Sequence, residues 1–258
     1  MPETRPLPRS AMNVLPVKER MKILRRHMPE ADPAVRSRNF EEVNLGLPEA
    51  DALTEASRCI ACAKPGCVVD CPVGVKVKEI VALICAGDFL AAAAKLREDN
   101  SLPAITGRVC PQENQCEGGC ILGKKGQPVA IGNLERFIAD YERLSGKLGL
   151  PANAPATGKN VAIVGSGPAG LSAAGDLIQK GHRVRVFEAL HELGGVLVYG
   201  IPEFRLPKAI LREEVAYLEA LGVEVKTSHV IGKILTLQEL LEEGYDAIFV
   251  GTGAGLPA

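Results

Sequence analysis

The sequence predicts two domains of different class, an all-helical N-terminal domain followed by an α/β domain on a parallel sheet. Three observations carry this expectation. All 8 cysteines lie between Cys59 and Cys120, the longest β-like apolar runs lie after Asn160, and a stretch rich in Gly, Pro and Ala, residues 145–160, runs between them. At 258 residues the chain also exceeds the usual size of one hydrophobic core. The boundary is expected near Ala152, giving domains 1–152 and 153–258.

In the first domain, periodicity and cap signals predict helices over Val17–His27, Pro48–Arg58, Lys76–Ala86, Phe89–Arg97 and Gly132–Leu144. Cysteine loops join them, and no convincing strand pair is present. The basic run Lys18–Arg26 reads as a solvated helix face rather than a docking helix. The second domain alternates: strand Val161–Val164, helix Ala169–Lys180, strand Arg183–Phe187, helix Lys208–Leu221, strand Val223–Lys226 and strand Ala247–Val250.

Composition narrows the partners. A net charge of −1 and the absence of Trp leave neither a basic stripe nor a stacking platform for nucleic acid. Prolines and charges interrupt the N-terminus where a signal peptide needs an apolar region, and no apolar run approaches the ~20 residues of a membrane span. A cytoplasmic protein with no membrane partner is expected. In a reducing compartment, cysteines are more often metal ligands or redox groups than disulfides.

Their spacing is therefore the main chemical signal. Cys59, Cys62, Cys67 and Cys71 form C-x2-C-x4-C-x3-C-P, and Cys110, Cys116 and Cys120 form C-P-x4-C-x3-C. In two-cluster ferredoxins the Cys before Pro ligates the other cluster, a role that suits Cys71-Pro72. Two four-ligand sites need one ligand more than these seven cysteines supply. Cys85 sits in a helix that is apolar nearly all round and reads as packing. A carboxylate could complete the set. Glu135 flanks the stripe of Ile131, Leu134 and Ile138, but Glu142 projects in nearly the same direction, and helical periodicity does not choose between them. Structural zinc is the rival reading of the thiols. The neighbouring nucleotide motif and the Cys-Pro junctions favour iron-sulfur clusters.

That motif is VAIVGSGPAGLSAAGDL, an apolar strand followed by Gly165, Gly167 and Gly170 in G-x-G-x-x-G spacing and then a helix. The first glycine makes the tight turn, the second admits a pyrophosphate to the backbone, and the third lets helix and strand pack closely. Glu188 ends the next strand at the distance of a ribose-binding acid, which argues against a 2′-phosphate there. The motif does not separate FAD from NAD. Gly194-Gly195 and Gly251-Thr252-Gly253 are further turns able to bring backbone amides to a long ligand. The histidines, His27, His182, His191 and His229, are scattered and read as structural or surface residues.

Taken together, RCIACAKPGCVVDCPVGV, GRVCPQENQCEGGC, VAIGNLERFI, VAIVGSGPAGLSAA and FEALHELGGVLVYGIPEFRLPK resemble the NADPH-oxidising small subunit of bacterial glutamate synthase and its relatives. Those relatives include the ferredoxin:NADP oxidoreductase large subunit and the N-terminal region of dihydropyrimidine dehydrogenase. The resemblance implies an α-helical ferredoxin-like domain with two 4Fe-4S clusters, then a partial Rossmann-like FAD domain. Carried over by motif, one cluster takes Cys59, Cys62, Cys67 and Cys120, and the other Cys71, Cys110, Cys116 and Glu135. FAD would lie on Gly165, Gly167, Pro168, Ala169, Gly170, Glu188, Gly194, Gly195 and Val196, with Arg205 close by and Gly251, Thr252 and Gly253 closing the site. In the family the chain continues past this turn into a second Rossmann module for NADP(H). This sequence stops at Ala258 without a second G-x-G-x-x-G, so the nicotinamide site is expected only in the complete enzyme. The implied function is transfer of electrons from NAD(P)H through FAD and the clusters to a large amidotransferase subunit or another flavoprotein. A non-catalytic electron-carrier fragment is the alternative.

Overall fold

The structure is a computed structural model that describes residues 15–254. Residues 1–14, where the signal-peptide expectation falls, and residues 255–258 lie outside it. The chain divides into two compact units, Met1–Leu148 and Gly149–Ala258.

Among the described residues the first unit is helical: α1 Val17–Arg20, α2 Pro33–Arg36, α3 Glu49–Ser57, α4 Gly66–Val69, α5 Val77–Ala86, α6 Phe89–Arg97, α7 Pro103–Val109 and α8 Ile131–Ser145. Short 3-10 turns at Gln112–Asn114 and Ile121–Lys124 lie between the last two. Its core is built from Leu53, Ile80, Ile84, Leu96, Leu134 and Ile138. The α5–α6 hairpin turns on Gly87, whose φ of 78° is a left-handed conformation suited to glycine, and Asp88 then caps α6 by accepting from the Ala91 amide at 3.3 Å. Phe89 of α6 meets Phe137 and Tyr141 of α8 edge-on, with centroids 5.1 and 4.9 Å apart. Helix α7, which sequence periodicity missed, lies against α8 so closely that a Cβ on Gly107 would come within 2.7 Å of the Arg136 amide.

The expected helix Val17–His27 is cut to Val17–Arg20. The reason is competition for its backbone. Arg58 Nε donates to the Ile23 carbonyl at 3.0 Å, and the Arg26 amide donates to Glu55 at 2.6 Å, so these groups serve α3 instead of a helical ladder. Pro29 also holds Met28 out of helical conformation. The lysines of the basic run, Lys18 and Lys22, stay exposed as expected, but its arginines turn inward. Arg20 reaches the Cys59 carbonyl, Arg25 reaches Glu117, and Arg26 lies 3.5 Å from Asp51.

The second unit is a parallel four-stranded sheet in the order β3-β2-β1-β4, with β1 Asn160–Val164, β2 Arg183–Phe187, β3 Glu224–Lys226 and β4 Ala247–Val250. In register, Val164 stands beside Phe187 and Val250, and Phe187 beside Lys226, which aligns the carboxyl ends of the strands. Helix α9, Pro168–Gln179, links β1 to β2; α10, Val196–Tyr199, and α11, Lys208–Ala220, link β2 to β3. A further helix, α12 at Leu237–Glu242, was not expected. It is only six residues long, but a capping box starts it: Thr236 Oγ1 accepts from the Glu239 amide at 3.1 Å while the Glu239 carboxylate accepts from the Thr236 amide at 2.7 Å. Within the proposed linker, residues 153–157 are bound to this unit, with Asn153 Nδ2 on the Leu221 carbonyl and the Ala154 and Thr157 amides on Gln179 and Gly181.

Candidate functional site

The thiols of the first unit sit at helix ends and in loops that side chains pin. Cys59 follows α3, Cys62 lies in the loop after it, Cys67 is in α4, and Cys71 follows that short helix. Cys110 caps the end of α7, and Cys116 and Cys120 bracket the turn before Ile121. A Cβ on Gly66 would fall on the Gly119 carbonyl, so the loop carrying Cys67 and the loop carrying Cys120 can touch only because both positions are glycine.

Two groups result. Cys59, Cys62, Cys67 and Cys120 line one cavity together with Val77, Val81, Val129 and Ile131, and Lys78 and Ile121 stand at its exposed edge. Burial pushes the Cys67 thiol up to about 11, and the neighbouring Cys120, Cys59 and Cys62 push it the same way. Burial also raises Cys59, to which Cys62 and Cys120 are close. In the second group Cys110 rises to about 11 through burial, then through Glu135 and Cys71. Cys116 is raised by burial, with Glu135, Glu117 and Cys71 adding to it. Cys85 is buried in α5 and raised to about 11 by burial, with Cys59 adding to the rise.

Glu135 is the unusual member of the second group. It is 8% exposed on the inner face of α8 and has no hydrogen-bond partner among the described residues. Burial, with Glu117 close by, pushes its carboxyl up to about 7. Glu142, left as its equal by helical periodicity, is 2% exposed but committed to Arg97, whose Nε lies 2.7 Å away. Thiols and a carboxyl held in apolar surroundings are costly when ionised unless a cationic centre compensates them, which is the chemistry iron supplies. The donor set therefore fits iron-sulfur ligation. No three of the described His, Cys, Asp or Glu side chains converge on a single metal ion.

At the carboxyl ends of β1 and β2 the nucleotide motif has the geometry its spacing predicts. Gly165 has φ 99°, and a Cβ there would strike the Gly251 carbonyl, so the first turn and the Gly251–Gly253 turn abut. A Cβ on Gly170 would fall on the Gly165 carbonyl. Gly167 differs from both: its φ of −63° suits any residue, and a Cβ would meet nothing within 4 Å. Neither backbone strain nor packing inside the protein requires glycine at 167. Glycine there leaves the backbone open to an external group, and the site fits a pyrophosphate at the start of α9. Pro168 and Ala169 open that helix, Gly194 and Gly195 have φ of 120° and 53°, and Val196, Arg205, Thr252 and Gly253 are exposed.

Glu188 is 6% exposed, and its carboxylate already accepts from the Ser166 amide at 2.9 Å, from the Ser166 hydroxyl, and from the Leu190 amide at 2.9 Å. Ser166 Oγ in turn accepts from the Gly194 amide at 2.9 Å. Ser166 thus ties the glycine turn, the acid of β2 and the Gly194-Gly195 turn together. Sequence reading passed it over as a variable position of the motif. Its small polar side chain between two required glycines was the available signal. Glu117 was also missed. It is buried beside Cys116, accepts from Arg25 Nη2 at 2.7 Å and from the Gly132 amide at 3.3 Å, and could have been noticed as the residue following a ligand-spaced cysteine.

Comparison with known proteins agrees with both halves. The family described as dihydropyrimidine dehydrogenase domain II, 4Fe-4S cluster, matches residues 36–147, and the NAD(P)-binding Rossmann-like domain matches residues 163–200. The glutamate synthase (NADPH) small chain of Halomonas elongata is 39% identical over 88% of this chain and 48% of its own length. The chain is a relative of the glutamate synthase small chain. The Escherichia coli K12 small chain is 37% identical over 87% of this chain and 48% of its own. The NAD-dependent dihydropyrimidine dehydrogenase subunit PreT of the same organism is 38% identical over 84% and 53%. This chain spans about half the length of these curated relatives. The chain thus joins a 4Fe-4S domain to an NAD(P)-binding Rossmann-like domain. No helix among the described residues is long and apolar enough to cross a membrane.

Proposed function

We propose that this chain is the electron-relaying part of an NAD(P)H-dependent iron-sulfur flavoprotein, with two 4Fe-4S clusters in the first unit and FAD in the second. One cluster is held by Cys59, Cys62, Cys67 and Cys120, the other by Cys71, Cys110, Cys116 and Glu135. The observation that carries this reading is the partition of these groups into two sets, the second completed by a buried carboxyl that has no other partner among the described residues. FAD lies along Gly165, Gly167, Pro168, Ala169, Gly170, Glu188, Gly194, Gly195 and Val196, with Arg205 beside it and Gly251, Thr252 and Gly253 closing the site.

When bound, FAD would accept a hydride from the nicotinamide nucleotide, and the clusters would carry its electrons singly. The protein's part is binding, orientation and electrostatics. Gly167 leaves the backbone open to the pyrophosphate, and the first amides of α9 face it. Ser166 holds the Glu188 carboxylate in place, leaving that acid acceptor capacity for a ribose hydroxyl. In the first unit, Val77, Val81, Val129 and Ile131 give the ligand set of Cys59, Cys62, Cys67 and Cys120 an apolar wall on its buried side. The nicotinamide site, and a large amidotransferase subunit or other flavoprotein as acceptor, belong to this proposal for the complete protein.

Anaerobic purification tests it. Broad visible absorption with about eight irons per chain, four for each cluster, together with flavin released on denaturation, is the expected result. A colourless zinc protein would overturn the cluster assignment. The Rossmann-like match is named for NAD(P), so bound NAD(P) in place of flavin would overturn the FAD assignment alone.

A further inference from the structure

We propose that Lys208 is a positioning residue of the dinucleotide site: by clasping residues 201–206 onto the start of α11, it holds Arg205 in place for the flavin. The proposal rests on the FAD assignment made above.

Arg205 is exposed, and its side chain makes no hydrogen bond or ion pair among the described residues. A long cationic side chain without partners in the protein stands where its backbone puts it, so whatever fixes that backbone places the guanidinium. A tight turn fixes part of it, since the Arg205 and Leu206 amides both donate to the Pro202 carbonyl at 3.0 Å. Lys208 fixes the rest. Its Nζ donates to the Ile201 carbonyl at 2.5 Å and to the Leu206 carbonyl at 3.0 Å, so the ring of chain that it closes has Arg205 inside it. Two carbonyls converging on one point need a donor with several N–H groups, and an ammonium carries three. The clasp is reciprocal. From within the same loop, the Glu203 carboxylate accepts from the Lys208 amide, 3.2 Å from each oxygen, at the first turn of α11 where no helical partner exists.

This loop is joined to the glycine turns at both ends. At its start the Gly200 and Ile201 amides donate to the Val196 carbonyl at 2.9 Å, and Val196 follows Gly195, where a Cβ would come 3.0 Å from Gly167 Cα. At its end Lys208 lies one turn before Leu211, and a Cβ on Gly194 would come within 2.7 Å of the Leu211 side chain. The clasp therefore sets Arg205 relative to the same glycines that leave room for the dinucleotide. Lys208 is half-buried with its amine on the loop carbonyls, and acts through Arg205, whose planar cation suits a phosphate oxygen or the face of an aromatic ring.

Titrating the deflavinated full chain with FAD tests this, read by flavin fluorescence and by the visible band of the bound flavin. Arg205→Met is expected to weaken FAD binding at least about tenfold, as for one lost charge-assisted contact, and to shift that band. Lys208→Met, which keeps the stem and removes the donors, weakens FAD binding and shifts the band in the same direction. In the Arg205→Met background Lys208→Met has little further effect, because the residue through which it acts is already gone. The proposal is overturned if either single variant binds FAD as the wild type does. It is also overturned if Lys208→Met weakens binding as much without Arg205 as with it, the mark of a purely structural role. Should Lys208→Met fail to fold, Lys208→Arg, whose longer head displaces the loop, goes through the same comparison and the same outcomes decide. A wild-type chain that takes up NAD(P) and no flavin would instead overturn the FAD assignment before any variant is compared.

Discussion

Gly167 and Gly170 stand three positions apart in one motif and answer to different constraints. A methyl group at 170 collides with the Gly165 carbonyl, whereas one at 167 enters open space. Gly170→Ala is expected to destabilise the second unit by about 1–3 kcal/mol through forced backbone displacement, read as a lower denaturant midpoint. Gly167→Ala should unfold at the wild-type midpoint and lose at least tenfold in dinucleotide affinity, measured by cofactor retention and titration. An equal midpoint for the two variants would refute this division of roles. The glycine positions were readable from spacing alone, because turn geometry is local. Ser166 was not, because its value lies in meeting Glu188 and Gly194, which are distant in sequence.

At the scale of elements, the first unit turns on an ion pair at the end of α3. Glu55 is fully buried and accepts from Arg58 at 2.6 Å, from the Arg26 amide at 2.6 Å and from the Ala130 amide at 2.7 Å, at the start of α8. Arg58 donates in turn to the carbonyls of Ile23, Gln127 and Pro128. This one pair fastens the segment after α1 and the loop leading into the helix that bears Glu135. Glu55→Ala leaves Arg58 buried without its counter-charge, and is expected to cost about 3–5 kcal/mol with loss of iron from the purified protein. Survival of both midpoint and iron content would show that the pair is dispensable. The same pair explains why Val17–His27 misleads as a sequence: its helical propensity is real, but α3 claims its backbone groups.

For the whole molecule, the two units have separate cores, and only the first contains the thiol groups. Stability lent by a bound metal centre is folding free energy for the domain that binds it. Removing iron anaerobically with a chelator should therefore lower the unfolding transition of the first unit while that of the second stays in place, as followed by calorimetry. A parallel fall of both transitions would show that the units are energetically coupled.

Much of this arrangement was legible in the primary structure. Cysteine spacing, G-x-G-x-x-G between a strand and a helix, and the change from helical period to alternating strands and helices are local patterns, and local patterns survive folding because backbone geometry enforces them. The tertiary structure decided what depends on distant partners. It separated Glu135 from Glu142, since only contact shows that Arg97 already satisfies the latter. It turned the arginines of the basic run inward while Lys18 and Lys22 stayed exposed, and it brought Ser166 against Glu188 and Gly194 and Glu117 against Arg25. Periodicity fixes the direction a side chain leaves its helix, but whether a buried charge is already satisfied depends on what folding brings against it.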